Sequence, residues 1–106
     1  MKRGDVYWVN LDPTQGAEIK KLRPCVIFSA TPINLARRTV VVIPLSTAAK
    51  PRPPLVVEVS CLDQNVTAVC DQIRAIDKGR LVKQAGSLTH NDMMTIENGL
   101  RQVLLI

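Results

Sequence analysis

The chain has 106 residues, of which 46% are hydrophobic and 22% charged, which excludes a disordered chain. That length leaves room for one modest core, so residues 1–106 are expected to form a single domain. The net charge of +5 sits in the first half: residues 1–53 hold nine Lys/Arg against three Asp/Glu, and residues 54–106 five against six. Taken in chain order, residues 5–12 (DVYWVNLD) read as a strand ended by the turn signal Asp12-Pro13. Residues 13–22 mix Pro, Gly and charge and read as a loop. Residues 24–29 (PCVIFS) are a second strand, with Pro24 at its first position, where proline is tolerated. Residues 30–38 are irregular or a single helical turn. Residues 39–46 (TVVVIPLS) are a third strand, too continuously apolar to face water on either side. Residues 48–54 (AAKPRPP) are a Pro-rich, basic loop that cannot continue a central strand. Residues 55–60 are a fourth strand, and 66–76 a fifth, bent near Asp71. Residues 77–83 look like a helical turn broken by Gly79. Residues 89–104 give the clearest helix: Thr89 is the N-cap with Asp92 three positions on, and Met93, Ile96, Leu100, Val103 and Leu104 recur at helical spacing. Gly99 inside it costs about 1 kcal/mol relative to alanine. The pattern predicts a mainly β fold, a small antiparallel barrel or sandwich packed by a C-terminal helix.

The chemistry is bounded by what is missing. No Gly-rich phosphate loop, GxSxG or HExxH occurs. His90 is the single histidine, which excludes a two-histidine acid–base pair, and no cluster of metal ligands forms. The three cysteines, Cys25, Cys61 and Cys70, include no CxxC and read as buried reduced thiols. Aromatics are 3% of the chain (Tyr7, Trp8 and Phe28), so a multi-aromatic stacking platform for single strands is excluded, and these three are assigned to the core. The N-terminal MKRGD runs straight into a strand, with no signal peptide or long apolar run, so a cytoplasmic location is expected. The basic first half points to an anionic partner, either nucleic acid or an acidic protein tail.

The informative features are RGD at 3–5, DPTQG at 12–16, Glu18, and Arg23-Pro24 opening an apolar strand. They continue through IPLST at 43–47, DQIRAIDKGRL at 71–81 and the helix at 89–104. In this order and spacing the chain resembles the MazF/PemK family of endoribonuclease toxins from type II toxin–antitoxin pairs. The resemblance implies an SH3-like β-barrel with a C-terminal helix, of the CcdB/PemK kind, and a homodimer. It also implies sequence-specific cleavage of single-stranded RNA without metal or cofactor, and inhibition by an acidic, partly disordered antitoxin.

Arg23 matches the family's catalytic arginine; a guanidinium stabilises the extra charge on a pentacoordinate phosphorus but is no base. Ser46 matches the family's catalytic threonine, counted from Pro44, and Thr47 follows it with a second hydroxyl; a strand-end ST-turn is the bland alternative. Lys20, Lys21, Lys50 and Arg52 lie in the two loops and would contact phosphates if both loops border one groove. Glu18 is read as organising the first loop, with Arg23 as a possible ion-pair partner. Asp71 and Gln72 match a polar pair near the family's cleft: Asp71 would accept the 2′-OH proton or hold Arg23, and Gln72 would read a base edge. Arg74 and Asp77 look structural. Two acid–base residues found in some members are absent: Ala17 stands where those have histidine, and Val69 where they have arginine. The general base is therefore left open. A non-cutting alternative is a protein-binding toxin of the same barrel, as in the CcdB-like gyrase poisons. Its determinants lie at the end of the last helix, where this chain reads GLRQVLLI.

Overall fold

Runs rich in Val and Ile extend as strands because β-branched side chains pack well on a pleated surface. The computed structural model describes residues 1–61 and 63–106. In chain order these form β1 (Asp5–Asn10), β2 (Leu22–Ile27), the short helix α1 (Thr31–Ala36), β3 (Thr39–Ser46), β4 (Val56–Cys61), β5 (Gln64–Val69), β6 (Arg74–Asp77), β7 (Leu81–Ser87) and helix α2 (His90–Leu104). The strands pair antiparallel in the order β4-β5-β3-β2-β1-β7, with β6 added to β3. The sheet curls into a half-barrel against α2, as the mainly β expectation requires. No helix among the described residues is long and apolar enough to cross a membrane.

The two faces of the central strands bury separate sets of side chains. One set (Val26, Ile43, Leu45, Val57 and Val66 among others) meets Met93, Ile96 and Leu100 of α2. The other (Val9, Cys25, Ile27, Val40, Val42, Ile76) fills the hollow of the curled sheet and is covered by Ile19 of the first loop. β3 is thus apolar on both sides, as its unbroken hydrophobic run predicts, and so is β2 from Pro24 on. All three cysteines are buried, and Cys25 and Cys70 are free thiols. Burial pushes the Cys25 thiol up to about 12, offset in part by the nearby Arg74 charge. It pushes Cys70 up to about 11, with the Asp71 carboxylate adding to the shift. Tyr7, Trp8 and Phe28 are half-buried; Phe28 also lies 4.5 Å beneath the Arg3 guanidinium.

Helix α2 begins as its sequence predicts. The Thr89 side chain accepts from Asp92 N at 3.1 Å. The Asp92 carboxylate does not complete a capping box; it accepts from Ser60 N on β4 at 3.2 Å and ties the helix start to the sheet. Leu104, expected on the apolar face, is 48% exposed. Gly99 is where the helix comes closest to the Pro-rich loop: a Cβ there would lie 3.0 Å from Pro54 O and 3.2 Å from Cys70 Sγ.

Two expectations are corrected. The strand expected over 66–76 is two strands. A 3-10 turn at Cys70–Gln72 ends β5, and β6 then pairs a different stretch of β3, from Thr39 to Val42. The helical turn expected at 77–83 is confined to Lys78–Arg80 and gives way to β7. That strand shows no apolar alternation because Val82, Lys83 and Gln84 are all exposed; its extended form comes from pairing with β1.

Candidate functional site

The first loop is held at its base and in its middle. At the base, Leu11 N donates to Lys21 O (3.0 Å), Lys21 N to Asp12 Oδ1 (3.1 Å), and Arg80 Nη1 to Asp12 O (2.6 Å). In the middle, Glu18 Oε1 accepts from Gln15 N at 2.6 Å, so Glu18 does organise the loop. The Gln72 amide spans from the 3-10 turn: its Oε1 accepts from Ile19 N (2.7 Å) and its Nε2 donates to Ala17 O (3.4 Å). Gln72 is therefore a loop anchor whose amide is already engaged. Residues 17–19 and 71–74, with Pro44 between, enclose a cavity of about 370 Å³.

Arg23 opens β2 and is exposed. Its Nε donates to Lys20 O at 3.2 Å, which turns the guanidinium back along the loop. Among the described residues its terminal nitrogens have no protein acceptor, and neither Glu18 nor Asp71 forms an ion pair with it. Cys25 pairs Pro44 at the end of the β2–β3 ladder; Arg23 lies two residues before Cys25 on β2, and Ser46 two residues after Pro44 on β3. Residues opposite one another share a face. Alternation along each strand puts Arg23, Pro44, Ser46 and Arg74 (opposite Val42) on the face whose middle is the second core cluster; Pro44 is buried there, and Arg23, Ser46 and Arg74 form the polar rim.

Ser46 Oγ accepts from Ala48 N (3.2 Å) and Ala49 N (3.0 Å), the ST-turn anticipated from the sequence. A hydroxyl has two acceptor lone pairs and one proton. Both lone pairs are engaged, so Ser46 offers its proton and has no free pair with which to act as a base. Beneath it, the buried Thr67 Oγ1 lies 3.1 Å from Ser46 O and 3.2 Å from Ala49 O and fixes the turn. Thr67 was not singled out by sequence; a threonine in VTAV carries no signal of what it will face.

Not every candidate converges. Glu18, Asp71 and Gln72 line the cavity, and Lys20 and Lys21 flank Arg23 exposed to solvent. Thr47, Lys50 and Arg52 are exposed on the turn after β3 and do not line it. The prolines of that segment, Pro51, Pro53 and Pro54, face α2 across a separate cavity, and Pro54 O comes closest to the helix, at Gly99. Arg74 does not behave as a structural arginine. Its Nη1 is buried, and its guanidinium has no hydrogen-bond acceptor or ion pair among the described residues. Among those residues no group of three His, Cys, Asp or Glu comes together.

Residues 2–104 match the family described as PemK-like, MazF-like toxin of type II toxin-antitoxin system. The chain belongs to the MazF/PemK toxin family. Endoribonuclease MazF of Staphylococcus epidermidis is 33% identical over 105 residues, covering 94% of this chain and 88% of that one. Endoribonuclease MazF of Staphylococcus saprophyticus gives the same figures. In structure, the chain is similar over its full length to MazF from Deinococcus radiodurans, with a TM-score of 0.89, 21% identity and 97% of that chain covered. A mycobacterial endoribonuclease solved in complex with its cognate antitoxin gives a TM-score of 0.84 at 24% identity, over all of this chain and 96% of that one.

Proposed function

We propose that the chain, as a single toxin domain over residues 1–106, is a sequence-specific endoribonuclease of a toxin–antitoxin pair. The observation that carries this is Arg23 and Ser46 on one face of the sheet, just beyond the Cys25–Pro44 pair, each with hydrogens free to donate. In the reaction the 2′-oxygen of RNA bonds to the adjacent phosphorus while the bond to the 5′-oxygen breaks. The 2′-hydroxyl loses a proton to a base, and the departing oxygen gains one. The products are a 2′,3′-cyclic phosphate (or the 3′-phosphate from its hydrolysis) and a 5′-OH. Negative charge builds on the non-bridging oxygens, where the Arg23 Nη groups and the Ser46 hydroxyl donate. Because the nucleophile is internal, the step requires no metal. The Thr47 hydroxyl stands next to Ser46 as the second candidate to position the phosphate, Lys20 and Lys21 hold flanking phosphates, and Lys50 and Arg52 extend the basic surface along the strand that is cut.

The named activity of the staphylococcal relatives supports this over the gyrase-binding alternative. We extend the same reading to the partners: a homodimer in the cytoplasm, silenced by an acidic antitoxin that competes with RNA for the basic loops. The test is incubation of purified protein with mixed-sequence RNA in EDTA. Cuts are mapped by primer extension and their ends tested for 5′-OH. Discrete cuts that vanish in Arg23→Ala are expected; cutting retained in that variant refutes the assignment.

A further inference from the structure

The cavity between residues 17–19 and 71–74 holds two polar groups with nothing to bind. Gln72 is committed to the loop on both sides of its amide. The Glu18 carboxylate is held by Gln15 N. That leaves the Asp71 carboxylate, exposed at the mouth, and the half-buried Arg74 guanidinium, whose Nη1 has no acceptor. The two do not pair with each other. Between them stand Pro44, Ile19 and Ile73, which give the cavity apolar walls. Nη1 itself is closed off from solvent, so the cavity's occupant meets the remaining nitrogens of this half-buried guanidinium, Nε and Nη2, which also have no acceptor among the described residues. The cavity volume of about 370 Å³ lies within the range of small-ligand sites.

The occupant has to present acceptors at one edge and donors at another. A guanidinium fork is best met by two adjacent acceptors, and a carboxylate by two adjacent donors. Among the RNA bases guanine alone offers both: O6 and N7 side by side, and N1–H beside the N2 amine. Adenine and cytosine place a ring lone pair next to their single amine, and uracil flanks its one N–H with two carbonyls. Each of these would face Asp71 with a repelling lone pair. A phosphate would bring its charge up against the same carboxylate. Sequence-specific RNA binders take up unstacked bases in this manner, gripping their edges between apolar walls.

We infer that this cavity receives one guanine next to the cut, with Arg74 donating to O6 and N7 and Asp71 accepting from N1–H and the N2 amine. This rests on the RNA-cleaving reading and names one letter of the sequence that the protein recognises.

The experiment uses the wild-type protein and RNA transcribed with guanine, with inosine (which lacks the N2 amine) or with 7-deazaguanine (which lacks N7). Cut sites mapped on ordinary RNA are expected to share a guanine at one fixed position. Each analogue should slow cutting by about tenfold, the value of one lost edge contact. Asp71→Asn should make the protein indifferent to inosine, and Arg74→Met indifferent to 7-deazaguanine. Arg74→Met should also keep or raise the melting temperature, whereas a structural arginine would lower it. Equal cutting of all three RNAs, or cut sites with no shared guanine, overturns the inference while leaving the nuclease intact. So does an Arg74→Met variant that loses affinity equally at all sites with a shallower salt dependence, the mark of a phosphate contact. Wild-type protein that cuts none of the RNAs refutes the nuclease reading itself, and the inference with it.

Discussion

Replacing Gly99 with alanine separates helix propensity from packing, because the two push in opposite directions. Propensity alone favours alanine in a helix interior by about 1 kcal/mol. The new methyl, however, would sit 3.0 Å from Pro54 O and 3.2 Å from Cys70 Sγ, with Val57 Cγ1 at 3.5 Å. Neither close neighbour is the mobile tip of a long side chain. One is the backbone carbonyl of Pro54 at the end of a Pro-Pro pair and the other is a buried thiol, so the helix or the Pro-rich loop has to shift. Overpacking of this kind costs about 1–3 kcal/mol. Set against the propensity gain, the expected net loss is about 1 kcal/mol, or a fall in melting temperature of about 4–8 °C for a domain of this size. Urea denaturation followed by circular dichroism gives the number. Gly99→Ala combined with Cys70→Ala should lose less than the sum of the single changes, because removing the sulfur vacates part of the space that the methyl needs. A Gly99→Ala protein more stable than wild type by about 1 kcal/mol would refute the packing argument and leave propensity in charge.

The other predictions concern the site and the thiols. Ser46→Thr should keep the turn and most of the cutting, whereas Ser46→Ala orphans the Ala48 and Ala49 amides, costs about 1–2 kcal/mol and abolishes cutting; denaturation and RNA cleavage assays report the two effects. Gln72→Ala cuts both ties to the first loop, so KM for RNA should rise several-fold with a smaller change in kcat, read from initial rates on the mapped substrate. Alkaline pH should weaken the fold. The ordinary thiol value is 9.0, while native Cys25 and Cys70 are held up to about 12 and about 11, so the unfolded chain loses its thiol protons first. The protection is complete below about 9 and declines at about 1.4 kcal/mol per pH unit for each thiol as pH rises toward the native values. Cys25→Ala should flatten the fall in urea midpoint through that range, and an unchanged slope would contradict the assignment.

How much of this was legible in the sequence depended on where each element gets its shape. β1, β2 and β3 carry their own burial signal, since both faces of the central strands are apolar and the run of Val and Ile says so. β7 carries none: its extended form is imposed by β1, a partner more than seventy residues away in sequence. The break at Cys70–Gln72 was visible only as a bend, because a change of pairing partner leaves no compositional mark. In the site, Arg23 and Ser46 were reached through the family motif around them. Glu18 was expected, from its match to the family's first loop, to organise that loop through Arg23; it does hold the loop, but through Gln15 N. Gln72 was expected at a base edge, yet its amide is taken up by Ile19 N and Ala17 O. Arg74 read as structural because nothing in IRAID says that its guanidinium will find no acceptor. Thr67 and Arg74 are defined by what the folded chain brings to them, and that is tertiary information.

The pairing of β1 with β7 also has a consequence for when the protein can act. As the chain leaves the ribosome, β1 emerges early and its outer edge stays open until residues 81–87 follow. The first core set lacks its lid until α2 has been made. Arg23 and Ser46 are thus synthesised long before the sheet that aligns them is closed. With Arg23 and Ser46 in the proposed roles, a prematurely terminated chain would carry the chemical groups without the closed sheet, and cutting is expected only once synthesis has passed the last turns of α2.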